Sequence, residues 1–139
     1  MATLANIVIN DGQSTPVAHT FEPARRVGNS IEWHDRASGV LAGFNRIMLT
    51  SVAPKKLASG VYRVTVKVMA PTLAVTAPSS GTGIQPNPVA AYFTESIHTF
   101  NIPAASTADA RKTARLYAIG ALSNAQIVDA IDKLAPPVV

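Results

Sequence analysis

The chain has 139 residues, of which 47% are apolar and only 14% charged, with a net charge of +4 and no cysteine. That length makes one domain able to bury roughly two thirds of its unfolded surface. The charge fraction falls well short of the roughly 25% usual in soluble domains, so other copies are expected to cover much of the surface. A disulfide framework and a thiolate metal site are excluded, as is a transmembrane helix, which needs a run of about 18 apolar residues. The start, "MATLANIVIND", lacks the basic and apolar blocks of a signal peptide.

In chain order, "TLANIVIN" (3–10) has strand composition, and "DGQS" supplies an Asp-Gly turn before a returning arm, "TPVAHTF" (15–21). "EPARRVGN" reads as a connection broken by Pro23 and Gly28. "SIEWHDR" (30–36) is a strand with Ile31 and Trp33 on one face and Glu32 and His34 on the other. "ASGVLAG" is a short strand or turn, and "FNRIMLTSV" (44–52) alternates as a strand. The loop "APKKLASG" leads to "GVYRVTVKVMAP" (60–71), which alternates throughout. Residues 72–88 hold three prolines and two glycines without periodicity and form a loop longer than compact domains usually carry without a purpose. "VAAYFTESIHTFNI" (89–102) is the last strand of six or seven, mostly antiparallel because the other connections are too short for crossover helices.

Two helices follow within 106–134. The first has a Ser or Thr cap and an early Asp, and its stretch "LYAIGAL" (116–122) carries no charge on any side. A helix apolar all round is buried all round. The second opens on a Ser cap, places Ile127, Ile131 and Leu134 on one face, and ends at Pro136 and Pro137. The fold class is α+β, an antiparallel sheet with helices on one face. The apolar turn at 116–122 and the uncovered sheet face both call for an obligate oligomer.

Nothing in the sequence assembles catalytic or metal chemistry. His19, His34 and His98 lie in separate strands without metal-ligand spacing. The Gly/Ser-rich run 79–83 lacks the P-loop pattern, and the acids do not pair. No cofactor, metal or small-molecule substrate is expected.

The charge distribution is more telling than its total. Between Asp35 and Glu95 there is no acid, while Arg46, Lys55, Lys56, Arg63 and Lys67 all fall there. With strand 44–52 beside strand 61–69, Ile47, Leu49, Tyr62, Val64, Val66 and Val68 share one face. Arg46, Met48, Thr50, Arg63, Thr65 and Lys67 share the other, with Lys55 and Lys56 in the connecting loop. Cations and hydroxyls both donate to phosphate oxygens, so this face suits an RNA backbone. An ordinary solvated face is the competing reading; Met48 and the missing acids weigh against it, since solvated faces mix signs.

Several landmarks taken together resemble the coat proteins of the single-stranded RNA bacteriophages, the leviviruses. They are "SIEWHDR", "YRVTVKV", "NPVAAYFTESIHTFNIP" and the ending "IVDAIDKLAPPVV", in that order from residue 29 onward. The resemblance implies an N-terminal hairpin, a five-stranded antiparallel sheet, and two C-terminal helices interlocking in a homodimer. It would bury Leu116, Tyr117, Ile119 and Leu122 at the dimer interface. Dimers would then build a small icosahedral shell, T=3 by family habit, around the single-stranded RNA genome, in the cytoplasm of a bacterial host. The loop 72–88 would gather at the symmetry axes. The inner sheet face would bind RNA through Arg46, Met48, Thr50, Lys55, Lys56, Arg63, Thr65 and Lys67, and would bind an operator hairpin to repress replicase translation. Where some relatives offer a base-stacking tyrosine and a nearby asparagine, this chain has Glu95 and Ile97. Glu95 joins the expected RNA-contacting set as an acceptor for a base edge. The alternative from another class is a cellular single-stranded nucleic-acid-binding module that forms no shell. Such modules show aromatic residues on the binding face, and neither hairpin strand places one there.

Overall fold

Short connections allow a strand only to return beside its predecessor, and the sheet follows that rule throughout. The computed structural model describes residues 3–74 and 87–135. Among these, six strands form one antiparallel sheet in chain order: β1 (Ile7–Asn10), β2 (Ala18–Val27), β3 (Ser30–Asp35), β4 (Asn45–Val52), β5 (Val61–Leu73) and β6 (Ala90–Pro103). Helices α1 (Ala108–Leu122) and α2 (Ala125–Asp132) follow. The α+β architecture is as the sequence and the resemblance imply, but the hairpin belongs to the same sheet as the other strands.

Several boundaries depart from expectation. β2 does not stop at residue 21 but runs through Pro23 to Val27, with the register shifting between Pro23 and Arg25. A proline has no N–H to give the ladder, and a bulge is where a sheet tolerates one. Gly28, at φ +56°, then turns the chain tightly enough for Val27 to pair with Ser30. Of the strand and turn alternatives for "ASGVLAG", the structure takes the turn, a 3-10 turn at Leu41–Gly43. β5 extends to Leu73, so the long loop starts later than residue 72. Most of the expected loop, 75–86, lies outside the described residues.

Caps mark both helices. The Thr107 hydroxyl accepts the Ala110 N–H at 3.2 Å at the start of α1. α2 is capped by Asn124, whose side chain accepts the Gln126 N–H at 3.0 Å, and not by Ser123. Ser123 instead donates its hydroxyl to the Ile119 carbonyl at 3.0 Å, closing α1. No helix among the described residues is long and apolar enough to cross a membrane.

Alternation sends Ile31, Trp33, Ile47, Leu49, Val66 and Val68 to one face of the sheet. Phe21, Trp33 and Ile47 are its buried centre, with Ile7 packed at the edge. The Trp33 indole N–H donates to the Ala5 carbonyl at 3.0 Å, tying the segment before β1 to the core. This core is small, centred on β2–β4, with Ile7 of β1 and Val66 and Val68 of β5 packed at its margins. The helices stand on the same side as the core but contribute nothing to it. No residue of α1 or α2 is buried, and Arg111, Lys112 and Arg115 face Val64, Val66, Phe100 and Ile102 across a cleft of about 330 Å³.

A charged clamp holds the first hairpin. His19 Nδ1 lies 2.6 Å from Asp35 Oδ2, and Nε2 lies 3.3 Å from Asp11 Oδ2. With a carboxylate at each ring nitrogen, the imidazolium form can donate twice. The hydrogen bond to Asp35, then that to Asp11, raises the His19 pKa above its ordinary 6.5. Burial pushes the Asp35 carboxyl up, but hydrogen bonds from the Ala37 N–H, His19 and Asn45 outweigh it and leave the pKa below 3.8. A raised histidine stabilises fully below its unfolded pKa and loses that contribution as pH rises through the folded one. A depressed carboxylate loses its contribution as pH falls through its folded value. The clamp is therefore complete between Asp35's depressed pKa and His19's raised one. An NMR titration should place His19 above 6.5, with amide protection of β1 falling at alkaline pH after correction for intrinsic exchange. A midpoint at or below the ordinary value would refute the clamp.

Candidate nucleic-acid interface

The register aligns the expected RNA-contacting residues into rows across the face opposite the core. One row runs His34, Arg46, Met69, Glu95, and the next Glu32, Met48, Lys67, Ile97. A hydroxyl row follows, Ser30, Thr50, Thr65, Thr99, and then Val52, Arg63, Asn101. Arg46, Met48, Thr50, Arg63, Thr65 and Lys67 thus share one face in the phase expected from alternation. Lys55 and Lys56 sit exposed in the β4–β5 loop. That loop closes on itself, the Lys56 carbonyl accepting the Gly60 N–H at 2.9 Å.

The hydroxyl row is internally linked. Ser30 Oγ and Thr50 Oγ1 are 2.7 Å apart, and Thr65 Oγ1 and Thr99 Oγ1 are 3.3 Å apart. In each pair one oxygen donates and the other keeps its own proton for a further acceptor. Arg63 Nε donates to Asn101 Oδ1 at 3.1 Å, which orients its guanidinium without neutralising it.

An acid-free interval in the sequence is not an acid-free face. Neighbouring strands carry Glu32 and Glu95 into it, opposite Met48 and Met69. Glu32 is buried and takes both Arg25 Nε at 2.8 Å and Arg25 Nη2 at 2.9 Å. The Arg25 bonds, opposed by burial and helped by His34, hold the Glu32 carboxyl below the usual range. This bidentate pair is self-contained. Lys67 Nζ lies 2.9 Å from Glu95 Oε1, both side chains partly exposed. A pair so open to water is worth little in stability and is readily exchanged for another partner.

Glu32 was not among the candidate contacts, although its parity opposite Trp33 marks its face. Phe93 was also missed. It lies two residues from Glu95 in β6 and therefore on the same face, opposite Pro71. The absence of aromatics on this face holds for β4 and β5 but not for β6.

The helices present the other unsatisfied surface. Leu116, Ile119 and Leu122 are half exposed, and Tyr117 is 75% exposed. Soluble monomers rarely leave apolar side chains in this number open to water along one helix.

Comparison with known proteins agrees with this architecture. The family described as levivirus coat protein matches residues 2–137. Among curated proteins, no sequence matches the chain. Among solved structures, a "virus-like particle of bacteriophage ESE058" is 30% identical, with a TM-score of 0.90, over 99% of this chain and 100% of that one. A "virus-like particle of bacteriophage NT-214" is 28% identical with a TM-score of 0.84, over 99% and 100% of the two chains. The capsid protein of bacteriophage GA shares the fold at 21% identity and a TM-score of 0.73, over 96% and 97%. With the family match spanning nearly every residue and the sheet-then-helices order intact, the chain belongs to the levivirus coat proteins, a family of structural capsid proteins and not of enzymes.

Proposed function

We propose that two copies of this chain interlock through α1 and α2, and that such dimers assemble into a T=3 icosahedral shell around single-stranded RNA. Leu116, Tyr117, Ile119 and Leu122 form the dimer interface. The face bearing Arg46, Met48, Thr50, Arg63, Thr65 and Lys67 turns inward, with Lys55 and Lys56 at its margin. The observation that carries this reading is the division of the surface. The uncovered apolar helices stand on one side of the sheet, and the cations and hydroxyls lie on the other. Two relatives of similar fold were solved as virus-like particles, which supports the same end state here. Assembly takes place in the bacterial cytoplasm, where the RNA is made.

On the inner face, Arg63 and Lys67 neutralise phosphates, while Thr50 and Thr65 donate to backbone or base. Glu95 sets a limit on that contact. Its carboxylate repels phosphate and accepts only donors, so Glu95 itself meets a base edge and not the backbone. The dimer platform also takes the replicase operator hairpin as a translational repressor, with Glu95 accepting from a base amine.

Expression of the chain alone should yield closed particles that absorb at 260 nm like nucleoprotein. Replacing Arg63 and Lys67 together with Ala should leave particles but lower their RNA content. In the unassembled protein, the slope of log affinity against log salt should flatten by roughly 0.7 for each phosphate no longer neutralised. A small nucleic-acid-binding species that never forms particles would favour the cellular-module reading. Unchanged RNA content would remove the inner-face assignment.

A further inference from the structure

Charges on the two helices stand against the local rules. Of the chain's eight acids, all but Asp109 and Asp132 have a basic nitrogen within 3.7 Å. Asp109 sits in the first turn of α1, where the helix dipole favours an anion. Asp132 is the last residue of α2, where the dipole disfavours one, and the last turn holds no basic residue. Arg111 shows the converse, a cation closing the first turn of α1. With Lys112 and Arg115 it faces an apolar floor of Val64, Val66, Phe100 and Ile102 across the cleft beneath α1, and no carboxylate lines that cleft. Among the described residues, the single ion pair on the helices is Lys133 with Asp129 at 2.9 Å. Three cations and one acid are thus left without counter-charges.

We propose that Asp132 of a second copy pairs with the cationic wall of Arg111, Lys112 and Arg115 when that copy's α2 enters the cleft, making these four residues determinants of which coat chains pair. The inference rests on the dimer reading above and deepens it. The occupant follows from complementarity. Ile127, Ile131 and Leu134 lie along one side of α2 and are left exposed by their own chain, an apolar stripe that matches the apolar floor. Asp132, one residue on from Ile131, lies about 100° round the helix. It therefore points at the wall when the stripe meets the floor. Covering the cleft strips water from the wall, and a cation so desolvated needs an anion beside it. In a two-fold dimer the contact forms twice, since each copy gives its α2 and receives the other's. Charges that each helix dipole opposes are then offset across the interface.

The test exchanges charges between two versions of the full chain. One carries Asp132→Lys, the other Arg111→Glu with Arg115→Glu, and each puts like charges at both contacts of its own homodimer. Expressed singly, each should give particles at a yield at least about tenfold below the natural chain. Co-expressed, the two should return to near the natural yield, because a mixed dimer sets opposite charges at both contacts. Native mass spectrometry of dimers released from those particles should find mixed dimers and few of either homodimer. Pairing within one chain cannot produce this rescue, since each variant keeps like charges on its own α1 and α2. Undiminished particles from each variant alone, or mixed and like dimers in statistical proportion, would overturn the charge contact and leave the dimer reading standing. Diminished particles without rescue would assign the substituted residues to folding and overturn it as well. A natural chain that forms neither dimers nor particles would overturn the dimer reading, and this contact with it.

Discussion

Ile119→Asp should leave the chain folded but unable to form particles. Ile119 lies in the charge-free stretch of α1 and is half exposed, and no residue of that helix is buried within its own chain. The substitution therefore disturbs no core packing within the chain, and the intrinsic helix cost of Asp is below about 1 kcal/mol. In the proposed dimer the same position is covered by a second copy. An unpaired carboxylate there costs several kcal/mol, on the order of 3–5 kcal/mol where no partner charge is near. Two symmetric copies bring two such charges to one interface. Sedimentation and electron microscopy should find no shells, with a circular dichroism spectrum like that of the natural chain. Particles at undiminished yield would show that α1 is not the seam.

Trp33→Ala should have the opposite pattern, a loss of fold before any loss of assembly specificity. Trp33 is the only tryptophan of the chain and one of three buried apolar side chains in the core cluster. Truncating a buried aromatic typically costs about 3–5 kcal/mol, and the indole hydrogen bond to the Ala5 carbonyl goes with it. Domains of this size have only about 5–15 kcal/mol in total. The remaining core, Phe21 and Ile47 with their partly buried neighbours, is too small to absorb the cavity. Chemical unfolding followed by circular dichroism should show a sharply lowered midpoint, or the chain should not accumulate at all. Val27→Ala, at an exposed position of β2, should by contrast change stability by less than about 0.5 kcal/mol. A Trp33→Ala midpoint close to that of Val27→Ala would contradict the assigned core.

The phase of β4 and β5 was legible because side-chain parity is a local property. Two alternating runs joined by a short loop can pair antiparallel with both apolar sets on one side, and they do. The Thr cap of α1 was legible for the same local reason, whereas the Asp-Gly signal marks only the start of a longer loop, residues 11–17, that bends back without a tight turn. The course of β2 was not legible. Pro23 reads as a breaker in isolation, and only the bulge opposite β3 lets the strand continue through it. Ser123 read as the cap of α2, but Asn124 follows it directly and its longer acceptor reaches the Gln126 N–H.

The candidate interface divides along the same line. Sequence parity placed Arg46, Met48 and Thr50 together, and likewise Arg63, Thr65 and Lys67. It did not reveal that Lys67 meets Glu95, that Arg63 meets Asn101, or that Phe93 opens beside Arg46. Those pairs are separated by tens of residues in the chain and become neighbours only through the β4–β5 and β5–β6 registers. The alternation that marked "GVYRVTVKVMAP" as two-faced depends on bond geometry within one strand, so the sequence alone settled which residues share a face. Which charges on that face remain open depends on what the next strand sets beside them, and only the folded sheet decides that.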